Sequence, residues 1–324
     1  MEHRWLPHLW GLVTPAVTLF VLYIGGWCMA LPLVILLGIY PLLEVALGTS
    51  SDTNVLQEGR AHNLIVHAHA VFVPVVLGML LWRISLDGLT FPVVGGILSA
   101  GLSNGASGIV SAHELGHRRP NSPSWWMSRM SLFSVCYLHF TTEHNHTHHR
   151  HWGREVDPTS SPWGRSIYAH ILQTIPRQIR GAYRARPVDT RNSLLLESAW
   201  LVGLMFLGWP FLIAFLGQAF VAIYLLEFVN YIQHHGLRRG ENERANATHA
   251  WESRHLLSRW TLMELPLHPS HHLKSSTRYE RLGVHNEAPK LPFGYYGMFW
   301  LALIPPVFSK LMKAQHVRSL SLTD

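Results

Sequence analysis

Residues 95–117 read GGILSAGLSNGASGIVSAHELGH, an apolar segment rich in small residues that runs directly into two histidines four positions apart. The apolar part belongs to a stretch, 89–112, that is long enough to cross a bilayer, for which about 20 residues suffice. The histidines stand where such a helix would leave the membrane. The segment therefore predicts a membrane protein with polar chemistry at one face of the bilayer.

The composition of the whole chain agrees with a bilayer environment. Hydrophobic residues make up 48% of the 324 residues and charged residues only 14%, whereas soluble domains carry about 25% charged residues. We predict an all-α fold, an integral membrane bundle of about six transmembrane helices with cytoplasmic and interfacial helices, forming a single domain over 1–324. The predicted spans are 9–30, 31–48, 63–82, 89–112, 194–213 and 214–233.

The basic residues predict the orientation of this bundle. With six spans, 25 of the 26 Lys and Arg residues lie on the side of the N-terminus, and Arg83 alone lies outside. Basic residues accumulate on the cytoplasmic side, so both termini and the segments 113–193 and 234–324 are expected there. The formal charge of +7 is then a cytoplasmic face, and it is not evidence for nucleic-acid binding.

Histidines cluster on the predicted cytoplasmic side. The chain has 23 of them, and EHNHTHHRH, residues 143–151, holds five within nine positions. Four boxes stand out, HxxxH, HxxxHH, a single histidine in NYIQHHGL, and HxxHH. Their nine histidines are His113, His117, His144, His148, His149, His234, His268, His271 and His272.

Helical spacing explains how a box could bind a metal. Side chains four residues apart share a helix face, so His113 with His117, and His144 with His148, are each expected to hold one ion. Pro269 suits the first turn of a helix, which places His268 at a helix start beside the two histidines that follow. Nine imidazoles are too many for one metal and match two, and imidazole suits iron, copper and zinc.

Other functions also agree with some of these residues. HELGH has the zinc-protease spacing, with Glu114 as general base, but that interpretation leaves most clustered histidines unused. The LDG motif at 86–88 lies on the far side of the predicted membrane. A non-enzymatic metal-binding or transport protein, and histidines that bind lipid headgroups, are further alternatives.

HELGH, EHNHTHH, NYIQHHGL, LPLHPSHH with RYERL, and the tail EAPKLPFGYYGMFWLALIPP together resemble the alkane 1-monooxygenase family of membrane di-iron enzymes, related to xylene monooxygenase and the fatty acid desaturases. The resemblance implies that the nine histidines bind two iron ions and that O2 is the oxidant. It implies hydroxylation of the terminal methyl group of an alkane or alkyl chain in a bacterial inner membrane. Acyl-chain desaturation and benzylic methyl hydroxylation stay open.

The resemblance also implies a rubredoxin or ferredoxin, with its reductase, as electron donor. The chain lacks the CxxC pairs of a fused rubredoxin, so the donor is expected to be a separate protein. Arginines on the predicted cytoplasmic side could attract an acidic carrier or bind lipid headgroups. These arginines are Arg118, Arg119, Arg150, Arg154, Arg177, Arg180, Arg184 and Arg186.

Some positions depart from the family pattern without removing a histidine of the four boxes. Gln233 and His235 replace the usual Glu and Tyr around the third box, and His235 could compete with His234 for metal. The other departures are Arg118, Thr147, Pro269 and Ser270.

Acidic and amide side chains beside the boxes are candidates to orient the ligand imidazoles by accepting their second N–H. Glu227, Asn230 and His234 share one helix face, while Glu44 has no evident partner. His146 and His151 lie off the metal-binding face and are expected to be dispensable. The orienting candidates are Glu114, Glu143, Asp157, Glu227, Asn230 and Glu264.

Amphipathic stretches at 163–180 and 291–312 carry Trp and Tyr anchors and are expected to lie along the membrane interface. The glycines and serines of 95–108 predict either room for a substrate or close helix packing.

Overall fold

The computed structural model describes residues 5–52 and 59–321, and within these ranges the chain is helical without β-strands. Most connections between the helices are short, but 152–166, 235–255 and 274–294 are long non-helical segments, and each of the last two contains one 3₁₀ turn. The helices are α1 (Leu6–Ile24), α2 (Gly26–Leu47), α3 (Arg60–Asp87), α4 (Phe91–Gly116), α5 (Pro123–Phe133), α6 (140–151), α7 (Ile167–Ala185), α8 (Pro187–Leu207), α9 (Trp209–His234), α10 (Leu256–Thr261), α11 (His268–Leu273), α12 (Tyr295–Ala302) and α13 (Pro305–Leu320).

Five helices in the described part of the chain are long and apolar enough to cross a membrane: α1, α2, α3, α4 and α9. The first four coincide with the predicted stretches 9–30, 31–48, 63–82 and 89–112, with ends displaced by a few residues. The predicted all-α membrane fold is therefore confirmed.

The division of the last apolar region differs from the prediction of spans at 194–213 and 214–233. The helix breaks at Gly208, whose φ of 128° suits glycine, so α9 is one continuous helix that begins at Trp209. The preceding helix α8 is 21 residues long, about 31 Å at 1.5 Å per residue. It is more polar than the five apolar helices because it carries Asp189, Arg191 and Glu197.

Close contacts show that α4 and α9 run in parallel. A Cβ atom at Gly101 would lie 2.5 Å from Cβ of Val221, and one at Gly105 would lie 2.7 Å from Cδ1 of Leu225. Both helices therefore end on the side where the histidines lie. Because α9 starts on the opposite side, α8 carries the chain back toward that side.

The same contacts explain the small residues of α4. A Cβ atom at Gly108 would lie 2.5 Å from Cγ2 of Val73 on α3. The glycines therefore let α4 pack closely against α3 and α9, as in other membrane bundles. A π-helical segment, Asn104–Ile109, follows Gly101 and rotates the end of the helix that carries His113 and His117.

Glu44, for which the sequence indicated no partner, anchors the C-terminal region to α2. Its carboxylate accepts hydrogen bonds from the Ser258 hydroxyl and from the backbone N–H of Gly297, the latter at 3.0 Å. The predicted interfacial segment 163–180 is the amphipathic helix α7. Segment 291–312 is two helices, α12 and α13, separated at Leu303 and Ile304.

Candidate metal centre

The HNHTH segment, His144–His148, is a π-helix inside α6. A π turn holds more residues than an α turn because its hydrogen bonds run from i to i+5. His144 therefore meets His149, with 3.0 Å between their Nε2 atoms. The prediction that His144 and His148 hold the same ion is wrong, because that prediction assumed α-helical spacing.

The nine predicted histidines converge from α4, α6, α9 and α11 into two groups. Within each group the facing ring nitrogens all lie within 4.8 Å of one another. His271 and His272 are consecutive and point into different groups. The five-histidine group is His113, His117, His144, His149 and His271, and the four-histidine group is His148, His234, His268 and His272.

The spacing of the ring nitrogens fits metal binding. In the four-histidine group, Nε2 of His268 lies 2.8 Å from Nε2 of His272 and 2.9 Å from Nε2 of His234. Two imidazole nitrogens bound at right angles to one ion, each about 2.1 Å from it, would be about 3 Å apart. Several nitrogens that share one point in this way cannot all be satisfied by donating to one another.

At several of these positions burial favours the neutral imidazole, which is the form that binds metals. Desolvation lowers the pKa of His117 to about 4. Burial likewise holds the pKa of His144, His149 and the α11 histidines well below the ordinary value. The two groups adjoin, since the rings of His149 and His272 are 4.7 Å apart.

An apolar cavity opens between α2, α4 and α9 and ends at this double cluster. Leu36, Leu102 and Phe299 are among its walls. His113, His144 and His268, drawn from both groups, form its polar end. A second, mainly apolar groove on the outer surface shares Leu37, Leu102, Leu225 and Phe299 with the cavity, so these side chains form the wall between the two.

Sequence comparisons identify the family. Residues 89–302 match the fatty acid desaturase family model. The chain is 34% identical to alkane 1-monooxygenase 1 of Pseudomonas aeruginosa, covering 88% of this chain and 82% of the relative. The chain belongs to the alkane 1-monooxygenase family. An alkane 1-monooxygenase 1 from Alcanivorax borkumensis is 30% identical over 96% of this chain and 84% of its own length.

A more distant relative is the xylene/toluene monooxygenase hydroxylase component of Pseudomonas putida, 26% identical over 70% of this chain and 65% of the relative. This alkane 1-monooxygenase family member is thus an O2-dependent oxidoreductase of the membrane. HELGH belongs to a nine-histidine double cluster in it, and the metalloprotease alternative is set aside.

Asp157 is the predicted orienting residue that contacts a clustered histidine. Its Oδ2 atom lies 3.1 Å from Nδ1 of His148, and both side chains are fully buried. The Ser160 hydroxyl donates to Asp157 at 2.6 Å. Burial alone would raise the pKa of this carboxyl, but His148 and Ser160 hold it below the ordinary value.

Glu227 and Asn230 lie deeper and bind each other, at 3.2 Å. Tyr137 and Gln178 also donate to Glu227, each at 2.9 Å. None of the hydrogen bonds seen for Glu227 in the described part of the chain goes to one of the nine histidines. The carboxylate instead ties α7 and the loop before α6 to α9.

The remaining acidic candidates have different surroundings. Glu114 pairs with Arg118 at 2.9 Å, and Glu264 pairs with Arg259 at 2.6 Å. Glu143 is fully buried, and neither carboxylate oxygen has a hydrogen-bond partner among the described residues. Burial raises its pKa well above the ordinary value.

Three histidines that stand in or next to the boxes lie outside both groups. His235 faces Trp163, Tyr231 and Phe308, so it is not placed to compete with His234. His146 is exposed, and its Nδ1 atom lies 3.1 Å from the carbonyl oxygen of Thr142. His151 is half-buried beside the arginines of the surface.

Trp152 is a site neighbour that the sequence analysis did not identify. Its ring stacks on His272 with 4.5 Å between centroids and 26° between planes. Its position directly after the histidine-rich stretch was the available signal. Gln233, a departure from the family pattern, donates to the Tyr295 hydroxyl at 2.6 Å and lines the cavity.

Proposed function

We propose that this protein hydroxylates the terminal methyl group of an alkane or alkyl chain, using O2, two bound iron ions and electrons from a separate carrier. The observation that carries this proposal is the apolar cavity that ends on His113, His144 and His268. A hydrocarbon chain that enters this apolar cavity would present its end to the histidines. The balanced reaction consumes one C–H bond, O2, two electrons and two protons and yields an alcohol and water.

The five-histidine and four-histidine groups would each hold one iron, since imidazole suits iron. The bound irons would supply the redox chemistry that activates O2 for insertion of one oxygen atom into the C–H bond. Neutral imidazoles leave the positive charge of the irons uncompensated within the first set of ligands. Fully buried Asp157, which accepts from His148, contributes one negative charge directly behind that set.

The chain itself performs three tasks in this reaction. Asp157 fixes the proton of His148 on Nδ1, which leaves Nε2 free as a ligand. The leucine and phenylalanine walls orient the substrate and exclude water from the reacting end. Asn230 and Gln233 supply the few polar atoms of the cavity near that end.

The proposed setting is a bacterial inner membrane, with both termini and the histidines on the cytoplasmic side. With α8 as a sixth crossing beside the five apolar helices, the chain would return to its starting side, and the concentration of Lys and Arg there would follow the positive-inside rule. The proposed electron donor is a rubredoxin or a ferredoxin with its reductase.

Product analysis tests the proposal. Cells that co-express the protein with a rubredoxin and its reductase would be fed octane, a longer alkane and a xylene, and the products identified by mass spectrometry. A primary alcohol from an alkane is the expected result. Accumulation of an alkene would point to desaturation, and oxidation of xylene alone to a benzylic hydroxylase.

A further inference from the structure

We propose that electrons enter the metal centre through Trp152, from an acidic one-electron carrier protein docked on the arginines that surround it. This inference rests on the proposed oxygenase function. The indole is 2% exposed and stacks on His272 of the four-histidine group. It is thus a conjugated ring in van der Waals contact with a candidate iron ligand.

A thin layer separates this ring from water. The Nε atom of half-exposed Arg239 donates to the carbonyl oxygen of Trp152 at 2.7 Å, and its guanidinium lies 6.0 Å from the ring centroid. His249 packs against another edge, 6.1 Å away. A carrier protein bound over Arg239 would therefore be separated by that arginine from the Trp152 ring, and this ring contacts His272.

The surface above Trp152 is positively charged and open to a partner. The guanidinium of Arg238 donates to the carbonyl oxygens of Arg154 and Ser160, and that of Arg239 donates to those of Trp152, Arg150 and Glu243. Backbone carbonyls do not neutralise a guanidinium. Within the described ranges, none of the arginines 150, 154, 238 and 239 forms an ion pair with a carboxylate.

Acidic residues on the same surface are fewer than the basic ones. Glu155, Glu241 and Glu243 are exposed there, and Glu243 lies 3.0 Å from His249. A neighbouring groove adds Arg177, Arg180 and Arg184. We name Arg150, Arg154, Arg238 and Arg239 the basic patch, and its excess of positive charge suits a small acidic protein, which it would steer by long-range attraction.

The electron balance is simple. Two reduced carriers dock in turn, each loses one electron and leaves oxidised, and the two electrons supply the reduction in the reaction stated above. Trp152 acts through His272 and is a positioning residue for this transfer. The rival path lies on another face, where half-buried His117 of the five-histidine group borders a groove with Arg118, Trp125 and Arg129.

The test uses the full-length, iron-loaded protein and a reduced bacterial rubredoxin. Four quantities are measured for each variant: the rate of rubredoxin oxidation at saturating concentration, the Kd of the complex, the iron content, and turnover with dithionite, a small reductant that needs no docking. For Trp152→Leu we expect the rate of rubredoxin oxidation to fall roughly tenfold, at the low end of the losses of activity that follow changes beside metal ligands, while the Kd and the iron content are retained and dithionite turnover falls much less. Trp152→Tyr should restore most of the rate, because it keeps an aromatic ring.

Arg150→Gln and Arg154→Gln should raise the Kd and weaken its dependence on salt, because they remove charge that salt screens. Arg119→Gln is the matched control, an exposed arginine near the rival groove, and should leave the Kd unchanged. Normal rubredoxin oxidation by Trp152→Leu, or an equal fall in its iron content and dithionite turnover, would overturn the proposal. So would loss of binding in Arg119→Gln alone. Absence of oxygenated product from the wild type with either reductant would instead overturn the proposed function, since rubredoxin oxidation is measured separately.

Discussion

The Nε2 atoms of His144 and His149 lie 3.0 Å apart across one turn of π-helix. This turn sends His148, between them in sequence, to the other metal group. The adjacent residues His148 and His149 therefore belong to different groups, and the two groups lie side by side.

His149→Ala is expected to weaken iron binding in the five-histidine group, which keeps four imidazoles, and to leave the four-histidine group unchanged. About half of the bound iron should then be lost to a chelator more readily than the rest, because each group holds its own ion. Iron analysis of the purified protein measures this, with His146→Ala as the control from the same π turn. If His146→Ala lost iron while His149→Ala kept it, the side-chain register of the π turn would be wrong.

Asp157→Asn is expected to weaken iron binding about 10- to 100-fold, because the amide no longer supplies a charged acceptor for the Nδ1 proton of His148. Competition with a chelator measures the affinity. Glu155→Gln removes a nearby exposed carboxylate and should bind iron like the wild type. Equal affinities for Asp157→Asn and the wild type would show that His148 needs no such acceptor.

Gly101→Ala is expected to destabilise the bundle by about 1–3 kcal/mol, since the added methyl group would overlap Val221 on α9. Thermal unfolding in detergent measures the loss. Gly78→Ala, on α3 where nothing lies within 4 Å of an added Cβ, should leave the midpoint unchanged or raise it. The packing of α4 on α9 would be contradicted by equal midpoints for Gly101→Ala and the wild type.

Ala106→Phe is expected to narrow the cavity beside the histidines and shift products from long to short chains. Ala106 lines the cavity on α4, and each methylene that a hydrophobic pocket no longer accommodates typically costs about 1–3 kcal/mol, or roughly 10- to 200-fold in discrimination against the longer alkane. Product ratios from mixed alkanes measure the shift. Val94→Phe, on the exposed face of the same helix, serves as control, and an equal change in both variants would remove the cavity from the substrate path.

Glu44→Ala is expected to lower stability by about 1–3 kcal/mol, because the Ser258 hydroxyl and the Gly297 N–H would lose a buried acceptor. Glu44→Gln keeps one acceptor oxygen and should lose less. Thermal unfolding compares the two, and a loss from Gln as large as that from Ala would mean that the charge, and not the hydrogen bond, is what matters.

The sequence by itself predicted the membrane fold and identified the nine histidines that the structure brings together. The length of an apolar stretch and the spacing of histidines are local properties, so both can be read directly from the sequence. The division at Gly208 was missed because 194–233 is apolar on both sides of it, and hydropathy alone cannot place a turn there.

Tertiary structure alone decided how the histidines are divided between two groups and which carboxylate serves them. Asp157, Glu114 and Glu264 looked alike in sequence, but only the loop after α6 brings a carboxylate onto a clustered imidazole. The π turn and the stacking of Trp152 on His272 depend on how α6 and α11 pack. Side chains from separate helices meet only when the helices pack against one another. The extra residue in a π turn is stabilised by such contacts between helices. The spacing of residues within one helix does not encode them.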